Sequence, residues 1–382
     1  MKTMQSRRHL LRTGLLAGSG LMAAALTQGR VAAEAASGEL TEGAQALVRD
    51  YMRAFSVPGF QLAFRRGSRI LYDGAFGVAD RATGQAVTPG SLFRIASDSK
   101  AFTAAAVFRL VEAGRLKLDD RVFAADGLLR QYADEGSPRE WIHQITVHQL
   151  LTHTCGGWSN ESNDPMFEER GMDHEQLIRW TLKTHPLQNP PGEKYAYSNF
   201  GYCLLGRVIE MVSGERYPES VRQEVLRPAR IQDMRIGTHQ TAPGEVHYYG
   251  QDGENPEGFP VARMDAHGGW IATALDMATF MACLFSPQDN EGAGPILTRD
   301  SLKRMTTGST ANPGYACGLA VNREGNAWHS GSLPGTTSLM VHTRSGLAWA
   351  AVLNTRSPER EAGQRLDRML WEIAKGQPGW GA

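Results

Sequence analysis

Apolar residues recur at helical spacing from Leu40 to Phe55 (LTEGAQALVRDYMRAF), which predicts an amphipathic helix ending before Pro58-Gly59. The next stretch, FQLAFRRGSRILYDGAFGVAD, reads as a β-hairpin turning at Arg66-Gly67-Ser68. From about 91 to 264 the pattern is helical segments broken by Gly, Pro, Asn and Asp. Late in the chain YACGLAVN, AWHSG, TSLMVH and LAWAAVLN are short strands with turn residues between them, an antiparallel meander. SPEREAGQRLDRMLWEIAKG then reads as an amphipathic helix capped by Ser357 and closed by Gly376. Strands early and late with helices between predict an α/β domain built from residues 37–90 and 265–382. A helical domain, 91–264, is inserted in it, and a cleft between two such lobes is a natural ligand site.

Composition changes this picture little. Of 382 residues, 41% are hydrophobic and 21% charged, and 40 basic residues cancel 40 acidic ones. That is an ordinary globular balance with no basic stripe, so nucleic acid is not an expected partner; a small-molecule or peptide substrate is. The N-terminus is a separate matter. SRRHLL places twin arginines (Arg7, Arg8) before a short Gly/Ala-rich apolar run, and VAAEAA offers small-residue cleavage sites. Residues 1–36 read as a twin-arginine export signal, which makes the expected location periplasmic or secreted. Its apolar run is too short and too weakly apolar to span a bilayer well, an uncleaved anchor being the alternative. The four cysteines are widely spaced without C-x-x-C, and free buried thiols are the expectation.

Candidate chemistry begins at FRIASDSKAFTAAAVFRLVEAG. Ser97 and Lys100 stand three apart where a strongly apolar helix begins, so they share a face. Burial and the positive helix N-terminus both disfavour the ammonium form, and a neutral lysine beside a serine is a general base beside a nucleophile. A helix cap followed by a solvated lysine has the same spelling. In PPGEKYAYSNFGY, Tyr197 and Asn199 lie two apart before an apolar helix and can share a cavity; an Asn/Ser turn with a packed tyrosine is the plainer account. His329-Ser330-Gly331 closes a strand, where glycine admits a close backbone neighbour and Ser332 offers an N–H; a strand-end histidine before a turn reads the same way. His143, His148 and His153 have no metal spacing such as H-E-x-x-H, and no G-x-S-x-G occurs, so neither metal nor cofactor is expected.

Together the three elements form an ordered pattern that resembles the serine penicillin-recognising hydrolases: class C β-lactamases, DD-peptidases, D-aminopeptidases and related carboxylesterases. LFRIASDSKAFTAAAV, ITVHQLLTHTCGG, PPGEKYAYSNFGY and GGWIATALDMATF resemble the class C and DD-peptidase branch, where Y-x-N replaces S-D-N. The likeness runs from about Leu40 to Leu370. It implies a β-lactamase/transpeptidase-like fold: an antiparallel sheet flanked by N- and C-terminal helices, with an inserted all-helical domain. It implies Ser97 as the acylated nucleophile, Lys100 as base and Tyr197 in the proton traffic. The N–H groups of Ser97 and Ser332 become an oxyanion hole worth roughly 3–4 kcal/mol per donor, and Asn199 holds the substrate amide. His329, Ser330 and Gly331 complete the binding strand. His329 stands where K-T-G relatives have lysine, and a partly charged imidazole should pull more weakly on a substrate carboxylate. Peptidase activity of the DD-carboxypeptidase or D-aminopeptidase kind is therefore expected ahead of β-lactam hydrolysis, with a carboxylesterase or a non-catalytic penicillin-binding sensor as alternatives. Loops around Trp158, Phe259 and Trp270, and the polar stretch Gly157–Arg170, are candidates to shape the cleft, though that stretch reads equally as a plain surface loop.

Overall fold

Two apolar layers, one on each face of an antiparallel sheet, organise the computed structural model, which describes residues 38–162, 164–285 and 295–381. Residues 38–381 fall within one compact unit. The export signal expected over residues 1–36 lies outside the described residues. The chain begins with α1 (Glu42–Ala54), then the hairpin β1 (Gly59–Arg66) and β2 (Arg69–Asp80) and the short β3 (Gln85–Ala86). From the far end come β7 (Ala320–Val321), β8 (Ala327–Leu333), β9 (Thr336–His342) and β10 (Leu347–Leu353). The sheet order is β3-β2-β1-β10-β9-β8-β7, so the two chain ends meet where β1 pairs with β10, Phe60 opposite Leu353 and Phe64 opposite Trp349.

The period-2 pattern of β1 sends Phe60, Leu62 and Phe64 to one face. There they pack with Trp349 and Leu353 under α1 and the C-terminal helix Ala362–Gly376. The opposite face carries small residues, Ala63, Ala348 and Ala350, which let the helix Ala274–Phe285 approach β1 and β10 closely. Behind it lies α2 (Ser99–Glu112), buried on nearly every side, with Phe102 stacked on Phe280 at 3.9 Å. Each such ring contributes roughly 1.5–3 kcal/mol by leaving water.

Three details differ from the sequence expectation. The region between the two sheet halves is not wholly helical: β4 (Phe93–Arg94), β5 (Arg235–Ile236) and β6 (Trp270–Ala272) form a small sheet in the order β4-β6-β5. The C-terminal helix starts at Ala362 without a side-chain cap, because the Ser357 hydroxyl serves a turn, accepting from Glu359 N at 3.2 Å. Its C-cap is Gln377. All four cysteines are buried free thiols. No helix among the described residues is long and apolar enough to cross a membrane.

Candidate active site

Ser97 does not sit on α2 itself. It occupies a 3-10 turn, Ala96–Asp98, immediately before it. Ile95 N donates to Trp270 O at 3.0 Å, which hangs the turn from β6. Ala96 has φ +44°, a left-handed conformation for a residue with a Cβ, a strain of about 1–3 kcal/mol. Within Ser91–Lys100 only Ser97 is not buried. The strained turn thus leaves the hydroxyl open to the cleft while its neighbours pack.

Lys100 is fully buried. Its Nζ has three partners: Ser97 Oγ at 3.1 Å, Asn199 Oδ1 at 2.7 Å and His267 O at 2.9 Å. The last two are carbonyl oxygens and can only accept. A neutral amine has two hydrogens, and these two carbonyls take both. The lone pair is left facing Ser97, whose hydroxyl then donates to it. Burial drives the lysine pKa down to about 7, with Asp164 and Asp98 pulling the other way. The Tyr197 ring lies 4.8 Å from the amine. Burial pushes the Tyr197 phenol far up, and its hydrogen bond with Ser97 only partly offsets this, so Tyr197 keeps its proton. Of the two groups, only Lys100 is brought toward neutrality.

Tyr197 ends the loop before the helix Asn199–Ser213, whose N-cap is Ser198: its hydroxyl accepts from Gly201 N at 3.0 Å. Asn199 departs from expectation. Its amide donates to Asn160 Oδ1 at 2.8 Å and Asp164 Oδ2 at 2.9 Å, and its carbonyl accepts from Lys100. Both amide hydrogens are thereby engaged inside the protein, so the geometry has Asn199 holding Lys100 rather than a substrate amide. Asn160 and Asp164 come from the polar stretch Gly157–Arg170, a candidate in the sequence to shape the cleft, which here reaches Asn199 itself. Asp164 is buried, and desolvation raises its pKa.

Strand β8 brings the third element. His329 and Gly331 face inward and Ser330 and Ser332 outward. A Cβ at Gly331 would overlap Ile95 O and Ser338 Oγ and stand 3.0 Å from Ala96 Cβ, so only glycine lets β8 lie against the Ser97 turn. Ser338 Oγ donates to Ile95 O at 2.8 Å, tying the adjoining strand to the same turn. Ser332 Oγ accepts from Arg356 Nη1 at 3.3 Å, while Arg356 Nε donates to Glu254 at 2.6 Å. The half-charged imidazole expected at 329 is not found. His329 is buried, and desolvation followed by the Lys100 charge pushes its pKa down to about 3. It stands as a neutral ring, Nε2 3.2 Å from Tyr315 Oη and Nδ1 2.8 Å from Ser330 O.

Three neighbours had no signal in the sequence. His153 is fully buried with its ring 4.2 Å from that of Tyr197, and Tyr315 lies between it and His329. Asp98 is fully buried 3.8 Å from His329 Nδ1, and desolvation raises its pKa far above the carboxylate range. Of the three aromatic side chains, Phe259 packs at this neighbourhood, while Trp270 reaches it through its backbone carbonyl and the Trp158 loop through Asn160. Phe259 packs with Phe167, Met264 and Leu333 against Ala96, the residue before Ser97. Trp158 and Trp270 are buried in the main core instead.

The beta-lactamase family matches residues 44–370. A protein named penicillin-binding protein 4 from Amycolatopsis lactamdurans is 32% identical over 241 residues, 59% of this chain and 58% of that one. Esterase EstB from Burkholderia gladioli is 30% identical over 269 residues, 65% of each. These alignments span less than two thirds of either relative's length. Among solved structures, D-amino acid amidase from Ochrobactrum anthropi SV3, complexed with L-phenylalanine amide, superposes with a TM-score of 0.71. It is 26% identical, with coverage of 87% of this chain and 97% of that one.

Proposed function

The chain belongs to the beta-lactamase family of serine hydrolases, and from that premise we propose that it cleaves ester or amide bonds through an acyl-enzyme on Ser97. The observation that carries this reading is the lone pair of Lys100, left to Ser97 by two carbonyls that occupy both amine hydrogens. Ser97 Oγ passes its proton to Lys100 as it attacks the carbonyl carbon. The oxyanion forms between the Ser97 and Ser332 N–H groups. Tyr197, neutral, protonates the departing group and is refilled from Lys100. Water then attacks the acyl-enzyme, giving its proton back through the same pair, and Ser97 is restored.

The site favours uncharged substrates. A neutral His329 supplies no charge for a carboxylate, and Arg356 is already paired with Glu254. Phe167, Phe259, Met264 and Leu333 offer an apolar wall beside Ala96 for the acyl group. An amidase or esterase acting on apolar acyl groups is the reading best supported, in keeping with the amidase and esterase among its relatives. The DD-carboxypeptidase reading keeps the support of relatives so named but lacks a cation here. Export through the twin arginines belongs to the same proposal; full-length protein should appear in the periplasmic fraction and Arg7→Lys/Arg8→Lys protein should not.

The test compares wild type with Ser97→Ala on short and long p-nitrophenyl esters, D-phenylalanine amide, a D-Ala-D-Ala peptide and a chromogenic cephalosporin. Intact mass is read after exposure to a penicillin. Turnover or a mass gain confined to wild type supports the reading, and equal turnover by both proteins removes Ser97 from the chemistry.

A further inference from the structure

The two buried histidines are joined through Tyr315, and the tautomer of each ring is fixed by the backbone group at its end of the line. Ser198 N can only donate, and it points at His153 Nδ1 at 3.0 Å. His153 Nδ1 therefore accepts, and a neutral ring must carry its proton on Nε2. That N–H faces Tyr315 Oη at 3.2 Å. At the other end Ser330 O can only accept, 2.8 Å from His329 Nδ1, so His329 carries its proton there and leaves Nε2 bare. The Tyr315 hydroxyl receives from His153 and lies 3.2 Å from that bare nitrogen, with the Tyr202 phenol as its other hydrogen-bond neighbour. The histidines are thus required to be opposite tautomers; a second proton on His153 would face the Ser198 N–H, and one on His329 would turn the Tyr315 hydroxyl away. Hydrogen bonds running one way polarise one another in a dry interior.

The line begins under the loop that carries Tyr197, whose ring lies 4.2 Å from that of His153. It ends on β8, one residue before the glycine that lies against the Ser97 turn. We propose that Tyr315 is a positioning residue for acylation, its single hydroxyl fixing the spacing between the Tyr197 loop and the binding strand. The proposal rests on the Ser97 reading for its catalytic consequence; the tautomers do not depend on that reading. The titratable groups facing the two rings are Lys100, Asp98, Tyr195, Tyr197 and Tyr202.

Nitrogen-15 NMR of histidine side chains in wild type tests the geometry without any variant. His153 should appear as the Nε2–H tautomer and His329 as the Nδ1–H tautomer, both unchanged from pH 5 to 9. The same tautomer on both rings, or titration of either within that range, overturns the proposal. Tyr315→Phe keeps the ring and removes only the oxygen. With turnover of the best ester, kcat should fall about ten- to a hundredfold with KM nearly constant, while both rings keep the tautomers that Ser198 N and Ser330 O impose. Unchanged kcat, or a loss carried by KM rather than kcat, also overturns it. Loss of activity in Ser97→Ala, run beside it, shows that the acyl-enzyme reading stands whichever way Tyr315 falls.

Discussion

Lys100 and His329 are both basic side chains buried against the same small volume, yet the protein sets them to opposite tasks. Lys100 meets two carbonyls and a hydroxyl, and two acids nearby offset part of its desolvation; it settles near neutrality, where it can take and return a proton. His329 meets a phenol and one carbonyl, and burial drives it out of the working range. Burial alone does not make a catalytic base. The difference lies in the partners, since acceptor-only oxygens leave a lone pair aimed at the nucleophile while a donor–acceptor chain uses up both ring nitrogens.

The largest test of that contrast is Lys100→Ala, which should lower kcat/KM by about 10²–10⁴ while thermal unfolding shows the fold intact. Lys100→Arg should rescue nothing, because a guanidinium does not give up its proton near neutrality. Rates within tenfold of wild type would place the base elsewhere. Next comes Gly331→Ala. Its Cβ overlaps Ile95 O and pushes β8 off the Ser97 turn, so kcat should drop about a hundredfold and stability by about 1–3 kcal/mol. An active, equally stable variant would show that the strand need not touch the turn.

Smaller effects separate the two bases more finely. The Asp164 charge raises the Lys100 pKa, so Asp164→Asn should lower it. Activity requires the unprotonated amine and rises with pH; its ascending limb should therefore shift to lower pH by up to about one unit. A shift the other way would mean Asp164 acts through packing. The smallest effect belongs to His329→Gln. If the ring is neutral and works only through hydrogen bonds, kcat/KM should fall less than about tenfold and equally at pH 5 and pH 8. A loss concentrated at low pH would restore the imidazolium anchor.

How far the sequence reached follows the same line. The strands, α1 and the buried α2 were legible because each writes its own periodicity, and Ser97 and Lys100 because they share one turn. Asp98 was not, although it lies inside the same motif: only the strands packed over it turn an ordinary polar residue into a buried acid. His153, Tyr315, Asp164 and the His267 carbonyl reach the site from other elements, and local spacing says nothing about which segments meet. Asn199 was legible as a cavity residue, but its partners Asn160 and Asp164 come from a polar stretch whose reading as cleft rim or surface loop could not be settled by spacing.

The central claim concerns one proton, and it can be observed directly. Carbon-13 labelling of the lysine side chains in Ser97→Ala, followed through pH 5 to 11, reports the Lys100 amine without turnover. A Lys100 midpoint close to 7, well apart from the surface lysines, is the predicted result. A midpoint near the ordinary lysine value of about 10.4 would mean that Lys100 is an ammonium at working pH and cannot activate Ser97.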